Sequence, residues 1–161
     1  MQARMKANQL TAEQIHTILS EEQVGRLATL NDAGFPYITP AHFAYINGKI
    51  YIHGLIKGQK IENIQKNGKV CFEVERMGKL LLADQPCDVN TEYASVIILG
   101  EAHLLNEERQ KIEALNAIVA KYAPTLTGKM FPANMLAATS VIEITIVECT
   151  GKFYNEHCQT P

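Results

Sequence analysis

Short stretches of alternating or continuous apolar residues dominate the chain, and segments with helical spacing interrupt them one at a time. Thr11-Ala-Glu-Gln14 is a capping-box pattern followed by Ile15, Ile18 and Leu19, which predicts a helix over about 12–22. A strand follows from Val24 to Leu30 and stops at the turn-forming Asn31-Asp-Ala-Gly34. Tyr37 to Tyr45 reads as the next strand. Asn47-Gly48 then separates it from Ile50-Tyr-Ile-His53, the strongest short-range hairpin signal in the sequence. Gly54 to Gly58 is a connection. Ile61 and Ile64 give Gln59–Lys66 the spacing of a short helix, ended by Asn67-Gly68.

The second half repeats the theme. Val70, Phe72 and Val74 put one face of a Lys69–Glu75 strand in a core, and Met77 to Thr91, with Gly78, Pro86 and Asp88, reads as an irregular excursion. Tyr93 to Leu104 is a long, almost wholly apolar strand. Asn106 is expected to cap a helix that carries Glu107 and Glu108 in its first turn. Ile112, Leu115, Val119 and Tyr122 form that helix's buried face, and Pro124 closes it. The pattern leaves 125–138 unassigned. Val141 to Cys149 is the last strand, before a Thr150-Gly-Lys turn. These elements predict a mainly β fold with helices: about six antiparallel strands in a small barrel, decorated by two to three helices. A parallel nucleotide-binding sheet is disfavoured, because tight turns join the first strands and no glycine-rich phosphate motif is present.

With 161 residues, 47% hydrophobic and 20% charged, the sequence suits one globular domain over 1–161: a core of about 23–152, the leading helix, and a flexible tail of about 153–161. A net charge of −2 supplies no field for nucleic acid. Apolar runs are strand-sized, and the first eight residues are polar, so neither a membrane span nor a signal peptide is expected. Four cysteines without a C-x-x-C pair fit reduced thiols and a cytoplasmic location.

Candidate chemistry gathers at Ile50 to Ile64. A strand ends at His53-Gly54, a glycine-bearing loop follows, and a helix opens near Gln59-Lys60. Cations at a helix N-terminus oppose its dipole, so Lys57 and Lys60 there make sense if an anion binds between them; two solvated surface lysines are the plain alternative. His53 fits a hydrogen-bonded structural histidine or a proton donor, and His42 lies on the neighbouring strand. No carboxylate or cysteine at a telling spacing completes a metal site, so none is expected. Ser20, Ser95 and Ser140 lack the setting of a catalytic nucleophile.

Taken in order, Val24-Gly-Arg-Leu-Ala-Thr29, Gly34-Phe-Pro-Tyr-Ile-Thr-Pro40, Tyr51-Ile-His-Gly54 with Gly58-Gln-Lys60, Asn67-Gly-Lys-Val-Cys-Phe72, Tyr93-Ala-Ser-Val96 through Gly100-Glu-Ala102 and Glu148-Cys-Thr-Gly-Lys152 resemble the pyridoxamine 5'-phosphate oxidase-related split-barrel flavoproteins. Within that superfamily they look most like the nitroimidazole-resistance group. The resemblance implies FMN held between two subunits of a homodimer. By the same likeness, Thr39, Pro40, Ala41 and His42 would line the flavin ring, and His53 and Gly54 would flank the ribityl chain. Lys57, Gln59 and Lys60 would surround the phosphate, while Tyr93 and Ser95 would reach the flavin from the partner. The chain departs from true pyridoxamine-phosphate oxidases: it has no Trp, and its last arginine is Arg109. That favours reduction of small electron-poor molecules such as nitroaromatics, with His53 as proton donor, over vitamin B6 oxidation. Haem ligated by a histidine, a flavin carrier without turnover, and a dimer with an empty cleft are the rivals.

Overall fold

The computed structural model describes residues 8–158. Seven antiparallel strands form one strongly bent sheet: β1 (Gly25–Leu30), β2 (Pro36–Ala41), β3 (Phe43–Ile46), β4 (Lys49–Leu55), β5 (Lys69–Leu81), β6 (Asn90–Leu104) and β7 (Thr139–Tyr154), in the order β2-β1-β5-β6-β7-β4-β3. Among the described residues four α-helices accompany them: α1 (Ala12–Glu21), α2 (Gln59–Lys66), α3 (Glu108–Tyr122) and α4 (Ala133–Ala138). The expected split barrel is therefore present, with a seventh strand.

The extra strand arises inside Tyr37–Tyr45, which the alternation alone presents as one element. The chain leaves strand geometry at His42, and the two halves become β2 and β3, the opposite edges of the sheet. The sheet thus curls until its edges meet through a single residue, and it stays open beyond that joint. Tyr122 of α3 clasps the joint. Its hydroxyl accepts from the Phe43 N–H at 2.9 Å and lies within donating distance of the carbonyls of Gln23 (2.7 Å) and Phe43 (3.0 Å). Its ring stacks on His42, with centroids 4.3 Å apart.

Alternation fills the inside of the curl. Leu27, Ile50, Ile52, Phe72, Val74, Val96, Ile98 and Ile144 are all fully buried, and Ile18 and Leu19 of α1 plug one side. The capping box holds α1 as expected: Thr11 N–H donates to Gln14 Oε1 at 2.8 Å, and Gln14 N–H donates to Thr11 Oγ1 at 3.2 Å. The Asn47-Gly48 hairpin also forms, with both residues at positive φ (51° and 74°), as a tight primed turn requires.

Four other boundaries differ from the sequence reading. β5 runs on to Leu81 through a register shift between Met77 and Leu80, so the irregular excursion shrinks. Gly78, read as a breaker, instead permits close approach: a Cβ there would lie 2.8 Å from Glu92 Cβ. The turn expected at Thr150-Gly-Lys152 is strand, paired with Ser95, Val96 and Ile97, and Phe153 and Tyr154 continue it instead of starting a tail. Asn106 does not cap α3; Glu107 occupies the N-cap, with no side-chain hydrogen bond. Within the unassigned 125–138, α4 forms and packs Leu136 beside Leu105, Leu115 and Val141.

Candidate functional site

The end of β4, the start of α2 and the β2–β3 joint converge. Phe43 pairs with Ile52 in the β3–β4 ladder, which brings His42 alongside His53. Gly54 follows His53, and a Cβ placed on it would lie 3.5 Å from Lys60 Nζ. Lys60 thus folds back to within ordinary contact of the Gly54 position. Gly58 opens α2 at φ 137°, a conformation open to glycine, and supplies no side-chain cap. Its carbonyl accepts from Ile61 and Glu62, so the first-turn N–H groups of Gln59 and Lys60 have no partner within the helix.

Electrostatics confirm the grouping. The His53 imidazole reaches solvent, yet surrounding atoms desolvate it, and nearby His42 and Lys60 also disfavour its charged form. Its pKa falls below the ordinary 6.5. An unfolded chain therefore binds a proton at His53 more readily than the folded one. This group adds no pH dependence well above 6.5 and destabilises the fold as pH drops below that value. The titration is expected to appear below 6.5 by NMR and to move upward when a phosphate ester binds, because an anion beside Lys60 reverses the local field. A His53 signal unmoved by saturating phosphate ester would separate it from the anion site.

On the β2 side, Thr39 pairs with Leu27 and shares its inward face. Its Oγ1 is buried without a hydrogen-bond partner among the described residues. An orphaned polar atom of this kind is costly unless a bound group completes it. Lys60, the backbone donors at α2 and this unmatched hydroxyl suit a ligand that has an anionic end and a polar ring. A flavin phosphate ester fits that description.

The structure thus brings Thr39, Ala41, His42, His53, Gly54, Gln59 and Lys60 to one end of the curl. Pro40 alternates to the opposite face of β2, paired with Arg26, and Lys57 is an exposed residue of the loop before Gly58. Tyr93 and Ser95 do not join them. Val141, the partner of His53, adjoins Ile142, which pairs with Leu104. Tyr93 is eleven residues from Leu104 on the same strand, roughly 35 Å at strand spacing.

Two residues that sequence reasoning passed over complete the surroundings. Asn63 and Thr29 are each 2% exposed and carry a polar chain from Gln59 to β2. The signal in sequence was an asparagine between Ile61 and Ile64, on a helix face read only for its isoleucines.

The outer face of the sheet carries an apolar patch beside the Arg26–Glu73 ion pair. Across neighbouring strands Ile38, Ala28, Cys71 and Leu99 form one row, and Ile97 adds to it from the next. Ile38 is 61% and Leu99 47% exposed. The β6–β7 ladder skips Val147 at its bulge. Val147 rims a groove of about 610 Å³ together with Leu30, Pro36 and Leu99.

A profile of the pyridoxamine 5'-phosphate oxidase family matches residues 11–153. No curated protein matches the chain. Among solved structures, a candidate 5-nitroimidazole antibiotic resistance protein from Bacteroides thetaiotaomicron superposes with a TM-score of 0.77 at 24% identity, covering 90% of this chain and 86% of that one. A flavocytochrome from Azotobacter vinelandii gives 0.86 at 21% identity, over 100% of this chain and 75% of its own. An FAD- and haem-binding protein from Mycobacterium smegmatis gives 0.86 at 18%, over 96% and 77%. At these identities the likeness to each structure is one of fold. No helix among the described residues is long and apolar enough to cross a membrane.

Proposed function

This chain belongs to the pyridoxamine 5'-phosphate oxidase family, and from that premise we propose that it is an FMN-dependent oxidoreductase acting on small electron-poor molecules, nitroaromatics among them. The observation that carries the reading is Lys60 folded back over Gly54, beside His53, at an uncapped helix start. Lys60 and the Gln59 and Lys60 N–H groups hold the phosphate. Thr39, Ala41 and His42 would run along the ring edge, where the unmatched Thr39 hydroxyl would orient it. When bound, the flavin supplies hydride and electron transfer, which no side chain here provides.

The lowered pKa of His53 favours its neutral form, so it serves as a hydrogen-bonding imidazole beside the substrate, able to pass a proton once an anion nearby raises its pKa. A His53→Ala variant is expected to retain flavin but lose turnover of a nitro compound with NAD(P)H. Retention of full turnover removes His53 from this role.

The site also calls for a second copy. Tyr93 and Ser95 alternate onto the same outer face as Ile97 and Leu99. An isologous dimer burying that face carries them away from their own His53 and toward the partner's site. Such a dimer persists on dilution in sedimentation; a stable monomer that still binds flavin overturns the shared site.

The deciding experiment is the visible spectrum of the purified protein, with the released chromophore identified by mass. Two bands in the yellow-flavin region with released FMN support the proposal. A Soret band assigns haem instead, with His53 or His42 as the ligating residue. Bound flavin without NAD(P)H turnover assigns a carrier.

A further inference from the structure

Within the fold, one chain of polar side chains connects the start of α2 to the strand beside the ring. Gln59 Nε2 donates to Asn63 Oδ1 at 2.7 Å, Asn63 Nδ2 donates to Thr29 Oγ1 at 2.9 Å, and Thr29 Oγ1 donates to the Tyr37 carbonyl at 3.3 Å. We infer that Asn63 and Thr29 are positioning residues that lock the phosphate-receiving start of α2 to β2, so that the two ends of the flavin site keep a fixed separation. The inference rests on the flavin reading above.

The sense of each bond is fixed. Thr29 has one hydroxyl proton, given to Tyr37, so its lone pair accepts from the Asn63 amide nitrogen. Asn63 must then turn its oxygen toward Gln59 and draws in one hydrogen of that side-chain amide. The second Nε2 hydrogen of Gln59 is left over as a donor at the start of α2. At the other end, Tyr37 lies two residues before Thr39, whose Oγ1 has no protein partner.

Stability alone does not explain this arrangement. An eight-residue helix is held here by Ile61 and Ile64, whose contacts are non-directional and let it slide or rock. Leucine at position 63 and valine at 29 would fill similar space without buried polar atoms, and such replacements of both partners are often near neutral. A hydrogen-bonded chain instead fixes one orientation.

The test uses the full chain as wild type, Thr29→Val, Thr29→Ser and Asn63→Leu. Dissociation constants are measured for FMN and for riboflavin, which lacks the phosphate, alongside thermal unfolding. Thr29→Val and Asn63→Leu are expected to weaken FMN about tenfold and riboflavin less than about twofold, while Thr29→Ser restores FMN affinity. Equal losses for the two flavins, or a Thr29→Val protein that keeps the wild-type preference for FMN, overturn the positioning role. Should Asn63→Leu fail to fold, the Thr29 pair still decides. A folded wild type that binds neither flavin overturns the flavin reading itself.

Discussion

Lys60→Ala is expected to weaken FMN binding by about ten- to a hundredfold while the chain stays folded. A hydrogen bond from a charged donor contributes about 1.5–3 kcal/mol, and each 1.4 kcal/mol is tenfold in affinity. Lys60 belongs at the upper end, because its ammonium already lies over Gly54 and loses little freedom when an anion arrives. Among the described residues it holds no ion pair with a carboxylate, so truncation leaves no such partner behind. Lys57→Ala is the control. That exposed side chain acts through screened charge, so its loss is expected to cost less than about threefold, and still less at high salt. Isothermal titration of the apoprotein gives both values. An Lys60→Ala protein with wild-type affinity for FMN but a lost preference over riboflavin is not possible on this account, and unchanged affinity for both removes Lys60 from the site.

The largest effect on stability is expected at Phe72. Its ring is fully buried, meets Phe43 edge-on at 5.1 Å, and fills the space that Gly25 leaves on the neighbouring strand. A Cβ at Gly25 would lie 2.0 Å from Phe72 Cζ. Phe72→Ala should therefore cost about 3–5 kcal/mol, a large part of the roughly 5–15 kcal/mol that holds a domain of this kind together. Gly25→Ala should cost about 1–3 kcal/mol by overpacking. Because the two positions share one volume, their effects are coupled: Gly25→Ala with Phe72→Leu is expected to lose less than the sum of the singles in urea unfolding. Strict additivity would mean that the ring moves aside freely.

Features written in local chemistry were legible in the sequence. The Thr11 capping box, the Asn47-Gly48 turn and the short α2 all depend on residues within a few positions of one another, and all appear where expected. Features that depend on distant pairing were not. Nothing in the alternation of Tyr37–Tyr45 records that its two halves hydrogen-bond to different neighbours, although Pro40 fits an edge strand better than a central one. β5 and β7 run longer than their apolar patterns because each is held by β6, whose pairing carries Leu80, Leu81, Lys152 and Tyr154 into the sheet. Asn63 and Thr29 escaped for the same reason: they meet across 34 positions of sequence.

The joint at His42 bears on how the molecule behaves when crowded. Open sheets invite further strands to add at their margins, and such growth is a route to aggregates. Here the two marginal strands are successive in the chain. One of them, β3, is only four residues long, and the other, β2, carries Pro36 and Pro40, which have no N–H to offer an incoming strand. Curling the sheet until its margins adjoin thus leaves little template for self-addition, even though its outer face carries an apolar patch.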